Sequence, residues 1–137
     1  MELIKLFDAI TGTNTLDCVI IPDGDADRII FMVNRAELSK AVGKNGINVK
    51  KMKEKLNKSI DIIAYSDELN KFIRYLLYPA KIESIEEQKR NDGKKVMVVS
   101  VRNEDKGIAI GKSGRNITKV NIFVKRHFNI DSVIINT

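Results

Sequence analysis

The sequence predicts an α+β protein built from two copies of one small domain. Three observations lead to this prediction. A glycine tetrad, GKNG at residues 43–46, recurs 68 residues later as GKSG at residues 111–114. The same order of helical and strand patterns surrounds each tetrad. The 137 residues are 43% apolar and 31% charged, which is a globular composition. Because repetition at a fixed period indicates a repeated structural unit, we predict domains at residues 1–66 and 67–137.

The first repeat reads as helix, strand, strand, helix, tetrad, helix and strand. Apolar residues at helical spacing and runs of strand-forming residues place these elements at 2–11, 16–22, 28–33, 35–42, 47–58 and 60–65. Gly12 ends the first helix, and the segment Pro22-Asp23-Gly24-Asp25 has the chemistry of a turn between the two strands. Asn34 and Glu37 have the spacing of a capping box at the start of the second helix.

The second repeat begins directly after the first. Ser66 is the predicted N-cap of its first helix, and Pro79 marks the end of that helix. The later elements are predicted at 81–90, 95–101, 103–110, from 115 onward, and 130–135, with a hairpin turn at Asn91-Asp92-Gly93. Because no linker separates the repeats, we expect packing to fix their orientation, so that both bind one continuous strand of a ligand.

Charge and cysteine content narrow the class of partner. A net charge of +6 favours a polyanion, with nucleic acid ahead of an acidic membrane. Cys18 and His127 are the only residues of their kinds, so an intrachain disulfide or a zinc cluster is not expected. Cys18 is expected in the core of a protein of the reducing cytoplasm. Neither a membrane-spanning run nor a signal-peptide pattern is present in the sequence.

Both tetrads are predicted to be sharp turns that meet phosphate groups. Two glycines around two polar residues allow dihedral angles that a Cβ atom would forbid, and they let a ligand approach the backbone. The N–H groups at the start of the next helix, together with a lysine, form a site for an anion. The candidate contacts are Gly43, Lys44, Asn45 and Gly46, and Gly111, Lys112, Ser113 and Gly114.

Basic residues of the helices that follow the tetrads are further candidates. They are Lys50 and Lys51 after the first tetrad, and Arg115 and Lys119 after the second. The alternative is that they form an ordinary solvated helix face. Asn48 and Asn116 occupy one position in both copies, where they cap the turn or contact a base, and the structural role is favoured.

The order of elements around both tetrads resembles the K-homology (KH) fold of type II, in which an extra helix and strand precede the core. Each domain would then be a three-stranded sheet packed against three helices. The strings GKNGINV and GKSGRNI, with Ile60-Asp61 and Ile130-Asp131 downstream, resemble the tandem KH module of the NusA family of transcription factors. The length suggests an archaeal member with little more than the two KH domains.

The resemblance implies a function and an extended site. KH domains clamp the backbone of about four nucleotides of single-stranded RNA or DNA at the GxxG turn. The resemblance places Val42 and Ile110, with Ile47, in the floor of the groove on which the bases lie. It implies a single-stranded RNA-binding protein that modulates transcription elongation or termination through nascent RNA, with RNA polymerase as a further candidate partner. The alternative is a KH-type structural or assembly factor of a ribonucleoprotein particle or ribosome.

An enzymatic function has one weak indication in the sequence. Residues 107–113 resemble the nucleotide-binding loop GxxxxGK[ST] but are one residue short, and the first copy does not follow the pattern. Catalytic carboxylate pairs, a nucleophile with its base and metal-ligand spacing are not recognisable. We therefore expect no enzyme, no cofactor and no small-molecule substrate.

Overall fold

The computed structural model describes residues 2–24 and 26–136. The chain divides into two compact units, Met1–Ser66 and Asp67–Thr137. Met1 and Thr137, which belong to the predicted domain ranges, and Asp25, which belongs to the predicted turn at 22–25, lie outside the described residues. Among the described residues, none of the helices is long and apolar enough to cross a bilayer.

The first unit contains three helices and three strands in the predicted order. Its elements are α1 (Glu2–Thr11), β1 (Asp17–Asp23), β2 (Ala26–Asn34), α2 (Leu38–Val42), α3 (Ile47–Leu56) and β3 (Ser59–Tyr65). The strands form one sheet in the order β1-β2-β3, in which β1 is antiparallel to β2 and β3 is parallel to β2. A parallel pair requires a crossover connection, and α2, the first tetrad and α3 form that connection.

The core of the first unit lies between the sheet and its helices. The ring of Phe7 on α1 stacks on the ring of Phe31 on β2, with centroids 4.1 Å apart. Ala41 on α2 and Met52 on α3 are fully buried in the same cluster. Cys18 is also buried there, as the sequence predicts. Residues 47–56 therefore form an amphipathic helix, with Met52 in the core and all four of its lysines exposed.

The second unit repeats this arrangement. Its elements are α4 (Leu69–Leu77), β4 (Ile82–Lys89), β5 (Lys95–Val101), α5 (Lys106–Ile110), α6 (Arg115–His127) and β6 (Ser132–Ile135). The sheet has the order β4-β5-β6, with an antiparallel and then a parallel pair. The register of β4 shifts between Ile82 and Ser84, which explains why its apolar residues do not alternate cleanly in the sequence. The predicted α+β class, with a three-stranded sheet and three helices in each unit, is confirmed.

Aromatic side chains close the core of the second unit. Phe72 on α4 and Phe123 on α6 are fully buried. The ring of His127 lies 6.3 Å from the ring of Phe72 and 6.4 Å from that of Phe123, measured between centroids. His127 is therefore half-buried, with its ring against the core of the second unit.

Two of the predicted helix caps are wrong. Asn34 makes no side-chain cap hydrogen bond, and a 3₁₀ turn at Arg35–Glu37 precedes α2. Ser66 is not the N-cap of α4, because that helix begins at Leu69 with Glu68 in the cap position. The predicted helix at 103–110 likewise divides into a 3₁₀ turn at Asn103–Asp105 and α5.

In each unit, an acidic residue of the 3₁₀ turn accepts a hydrogen bond from the backbone of the segment before the first strand. The Oε2 atom of Glu37 accepts a hydrogen bond from the backbone N–H of Asn14, at 2.8 Å. Asp105, which lies 68 residues after Glu37, accepts one from the N–H of Lys81 at the same distance. Glu37 thus binds the backbone of a residue 23 positions earlier and does not form the predicted capping box.

We expect the second unit to lose stability in acid through Asp105. Hydrogen bonds from the Arg102 side chain, at 3.0 Å, and from the Lys81 backbone lower the pKa of Asp105 below its usual value of 3.8. Because its pKa is lowered on folding, ionised Asp105 stabilises the folded state. This contribution is complete above about pH 5 and is lost as the pH falls below 3.8 towards the folded-state pKa. The variant Asp105→Asn should therefore be less stable than wild type at pH 7, and the difference should shrink towards pH 3.

Urea unfolding at several pH values measures this effect. Glu104→Gln is the matched control, because Glu104 also pairs with Arg102 but is exposed. An exposed ion pair contributes little to stability, so the control should change the pH profile only slightly. Equal pH profiles for wild type and Asp105→Asn would contradict the role assigned to Asp105.

Candidate nucleic-acid interface

The two tetrads form turns with almost the same backbone conformation. Gly43 has φ 80° and ψ 164°, and Gly111 has φ 78° and ψ 166°. The third residues, Asn45 and Ser113, both lie in the left-handed region with φ of 56° and 55°. The fold therefore builds the same turn twice, although residues 45 and 113 differ in type.

Backbone hydrogen bonds close both turns in the same way. The N–H of Gly43 donates to the carbonyl of Ser39 at 2.9 Å, and the N–H of Gly111 donates to the carbonyl of Gly107 at 2.8 Å. The fourth glycine of each tetrad donates to the carbonyl of the first, at 3.0 Å and 3.1 Å. Each turn leads directly into a long helix, whose first N–H, at Ile47 or Arg115, donates to the carbonyl of the lysine in the turn. The next N–H groups have no carbonyl partner within the helix.

An asparagine after each turn connects its two helices. The Nδ2 atom of Asn48, at the start of α3, donates to the carbonyl of Lys40 in α2 at 3.1 Å. The Nδ2 atom of Asn116 donates to the carbonyl of Ala109 in α5 at 3.0 Å. The structural role that the sequence favours for these asparagines is confirmed. They hold the short helix, the turn and the long helix in one arrangement.

The first glycine of each tetrad has no room for a side chain. A Cβ atom on Gly111 would lie 2.7 Å from the backbone nitrogen of Asn116, and one on Gly43 would lie 2.8 Å from the side chain of Ile47. At the fourth position the space is open, because a Cβ atom on Gly46 would have no neighbour within 4 Å and one on Gly114 would lie 3.9 Å from Ile117. The first glycine permits close packing of the helices, whereas the fourth leaves its surroundings open to a ligand.

Most of the predicted polar site residues lie at the surface. Lys44, Asn45, Lys112 and Ser113 are exposed at the tips of the turns. Lys50 and Lys51 are exposed on α3, and Arg115 is exposed at the first position of α6. Lys119 differs, because its residue is only 8% exposed and it lies in the buried part of α6. Lys119 is therefore not part of the exposed surface around the second turn.

Apolar residues lie next to both turns, and one of them was not predicted. Val42 and Ile110, which end the short helices, are half-buried. Ile47 is 46% exposed after the first turn, and Ile108 is 49% exposed before the second. Ile108 was not predicted as a site residue. The residue at the same position of the first repeat, Lys40, is polar, which indicates a surface position, and it is exposed in the structure. Each turn thus has an exposed isoleucine and an exposed cation beside it.

The charge around both turns is positive. The sequence contains no aspartate or glutamate from residue 38 to residue 53, or from residue 106 to residue 130. These segments contain the tetrads and their lysines. The N-terminal ends of α3 and α6 add the partial positive charge of the helix dipole. Each turn therefore offers backbone N–H groups and cations to an anionic ligand.

The similarity to the nucleotide-binding loop does not extend to structure. Lys106–Ile110 form the helix α5, so residues 107–110 do not form the open loop that wraps a nucleoside triphosphate. Strand β5 ends at Val101, and a 3₁₀ turn separates it from that helix.

Comparisons with known families match both units. Residues 69–136 match the model described as NusA-like second KH domain, and residues 4–93 match that of the KH domain. The second match runs from within α1 through the rest of the first unit and extends into the second unit.

Individual relatives match over nearly the whole chain. The "Probable transcription termination protein NusA" of Halococcus morrhuae is 30% identical over 130 residues, covering 95% of this chain and 89% of the relative. The protein of the same name from Methanocaldococcus jannaschii is 31% identical over 135 residues, covering 96% and 70%. The crystal structure of APE1850 matches with a TM-score of 0.84 and 36% identity, covering 98% of this chain and 96% of that one.

Proposed function

Because this chain belongs to the NusA-like family of tandem KH-domain proteins, we propose that it binds single-stranded RNA and acts in transcription termination. The duplicated turn is the observation that most directly supports RNA binding. Two turns of nearly equal dihedral angles each present exposed polar residues and the start of a basic helix. In KH domains this turn clamps the backbone of about four nucleotides.

The proposed interface contains the tetrads and their neighbours in both units. Lys44 and Lys112 neutralise phosphate charge, while backbone N–H groups of the turns donate to phosphate oxygens. Lys50, Lys51 and Arg115 extend the positive surface along α3 and α6. Val42 and Ile110, with the exposed Ile47 and Ile108, contact the bases. Because these contacts are aliphatic, base stacking on aromatic rings contributes little.

In this proposal the chain binds RNA without catalysing a reaction on it. Each turn alone holds a short segment, so the affinity of one unit is modest. A strand long enough to occupy both turns binds more tightly, because the second contact is formed within the first complex. In a transcribing cell the strand would be the nascent transcript, and RNA polymerase is a candidate protein partner.

Fluorescence anisotropy with labelled RNAs of increasing length tests the RNA-binding part. Single-stranded RNA should bind, with a gain in affinity once the length exceeds about eight nucleotides, twice the four-nucleotide site. Affinity should fall as the salt concentration rises, because phosphate contacts release counterions. Duplex RNA of equal length should bind less well. Equal affinity for duplex and single strand, or no binding, would contradict the proposal.

Affinity purification from cells, followed by identification of the bound molecules, tests the transcription part. Nascent transcripts and polymerase subunits are the expected partners. If the protein were recovered with ribosomal subunits and without nascent transcripts or polymerase, the result would favour a structural or assembly factor of the ribosome.

A further inference from the structure

The hairpin between β4 and β5 carries an unusual concentration of positive charge. Lys89, Arg90, Lys94 and Lys95 surround its tip, and the residues from 89 to 94 are exposed. Lys89 lies directly opposite Lys95 in the strand pairing. Like charges in directly opposed positions destabilise a β-hairpin. The sequence therefore retains an arrangement that is unfavourable for the isolated hairpin.

The nearby carboxylates bind backbone groups of the hairpin. An Oδ1 atom of Asp92 accepts the N–H of Lys94 at 3.0 Å, and an Oδ2 atom of Asp131 accepts the N–H of Lys95 at 2.8 Å. In residues 2–24 and 26–136, none of the hairpin cations forms an ion pair within 4 Å. The hairpin cations are therefore available to an anionic partner.

The fold does not require these cations. The corresponding hairpin of the first unit connects β1 and β2, and its sequence contains Asp23, Asp25 and Asp27. The same position in the repeated fold is thus acidic in one unit and basic in the other. The positive charge of the second hairpin is a property of that unit alone.

The position of the hairpin within its own unit suits a second contact with a bound strand. The N–H of Asp131, after α6, donates to the carbonyl of Lys95 at 3.0 Å, which places the base of the hairpin beside the segment after the C-terminal end of α6. Lys125 is exposed in the last turn of that helix. The helix begins at Arg115 beside the second tetrad and has 13 residues, which corresponds to a length of about 20 Å.

We infer that the β4–β5 hairpin is a second phosphate-binding surface, which holds the RNA that extends beyond the tetrad of the second unit. The inference rests on the proposed function. Lys89, Arg90 and Lys94 contact backbone phosphates, so the surface adds affinity without selecting a base sequence. A strand of only about four nucleotides occupies the tetrad and does not reach the hairpin.

The test is RNA binding by the variant Lys89→Gln with Arg90→Gln and Lys94→Gln. Binding of a single strand of about 16 nucleotides should weaken by roughly tenfold, and the slope of log affinity against log salt should become shallower by about 2. Binding of a strand of about four nucleotides should not change. The control variant Lys5→Gln with Lys71→Gln and Arg74→Gln removes three exposed positive charges on α1 and α4 and should bind the long strand within about twofold of wild type.

Two results would overturn the inference. The first is that the hairpin variant binds the long strand as tightly as wild type does. Aspartate substitutions in the tetrads would then show separately whether the protein binds RNA through the tetrads. The second is a wild-type dimer, seen by analytical ultracentrifugation without RNA, that the hairpin variant cannot form. The basic hairpin would then bind the acidic hairpin of a second copy.

Discussion

Aspartate at the two central positions of both tetrads is expected to weaken binding of single-stranded RNA by about 100-fold or more. The variant combines Lys44→Asp and Asn45→Asp with Lys112→Asp and Ser113→Asp. It removes two cations and places four carboxylates where phosphate groups are proposed to lie. A change in one turn alone should weaken binding by roughly tenfold, because the other turn still holds the strand.

The fold should survive these substitutions. Asn45 and Ser113 have positive φ angles, and aspartate is among the few residues that adopt the left-handed conformation readily. All four positions are exposed, so their new charges remain solvated. Circular dichroism and the unfolding midpoint should therefore stay close to those of wild type.

A charge-matched variant distinguishes the effect of charges placed in the turns from the effect of the protein's net charge. Lys5→Asp with Asn70→Asp makes the same change in net charge as one substituted turn, at exposed positions of α1 and α4. Anisotropy measurements should show only a small loss of affinity for this control. If the control and a substituted turn weakened RNA binding equally, the turns would have no special role.

Alanine at the first glycine of the second tetrad is expected to destabilise that unit by roughly 3 kcal/mol or more. Gly111 has φ 78° and ψ 166°, a conformation that is almost restricted to glycine. Its new Cβ atom would also lie 2.7 Å from the backbone nitrogen of Asn116, and backbone cannot move aside as a side chain can. Gly43→Ala should cost less, because the atoms closest to its Cβ belong to the side chains of Ile47 and Asn48.

Gly114→Ala is the matched control within the same turn. Gly114 also has a positive φ, but a Cβ atom there would meet nothing closer than 3.9 Å. The expected loss is therefore only the conformational cost, about 1 kcal/mol. Urea unfolding, with hydrogen exchange to assign the transition to the second unit, measures both variants. Equal losses for Gly111→Ala and Gly114→Ala would show that close packing at the first glycine is unimportant.

The repeated elements could be predicted because their signals are local. Apolar residues at helical spacing placed α1 correctly at 2–11, and the strand-forming run before the second tetrad placed β5 correctly at 95–101. The tetrads identified the turns, because glycine permits backbone angles that other residues avoid. The recurrence of asparagine at 48 and 116 indicated a structural contact, which the hydrogen bonds to α2 and α5 provide.

Contacts between distant segments could not be predicted in this way. Asn34 and Glu37 fit a local capping box, but Glu37 binds the backbone of Asn14, 23 residues earlier. Lys119 lies one helical turn before Phe123, which is fully buried in α6, and the sequence does not show how far that buried face extends. Both differences depend on where other elements pack, and hydrophobic periodicity of one helix does not contain that information.

The measurement that most directly tests the central claim is an NMR titration of the ¹⁵N-labelled protein with single-stranded RNA. We expect the largest amide shift changes at Lys44, Asn45 and Gly46, and at Lys112, Ser113 and Gly114. Smaller changes should follow in the first turns of α3 and α6. If the amides of both tetrads kept their positions while other surfaces shifted, the turns would not be the RNA-binding site.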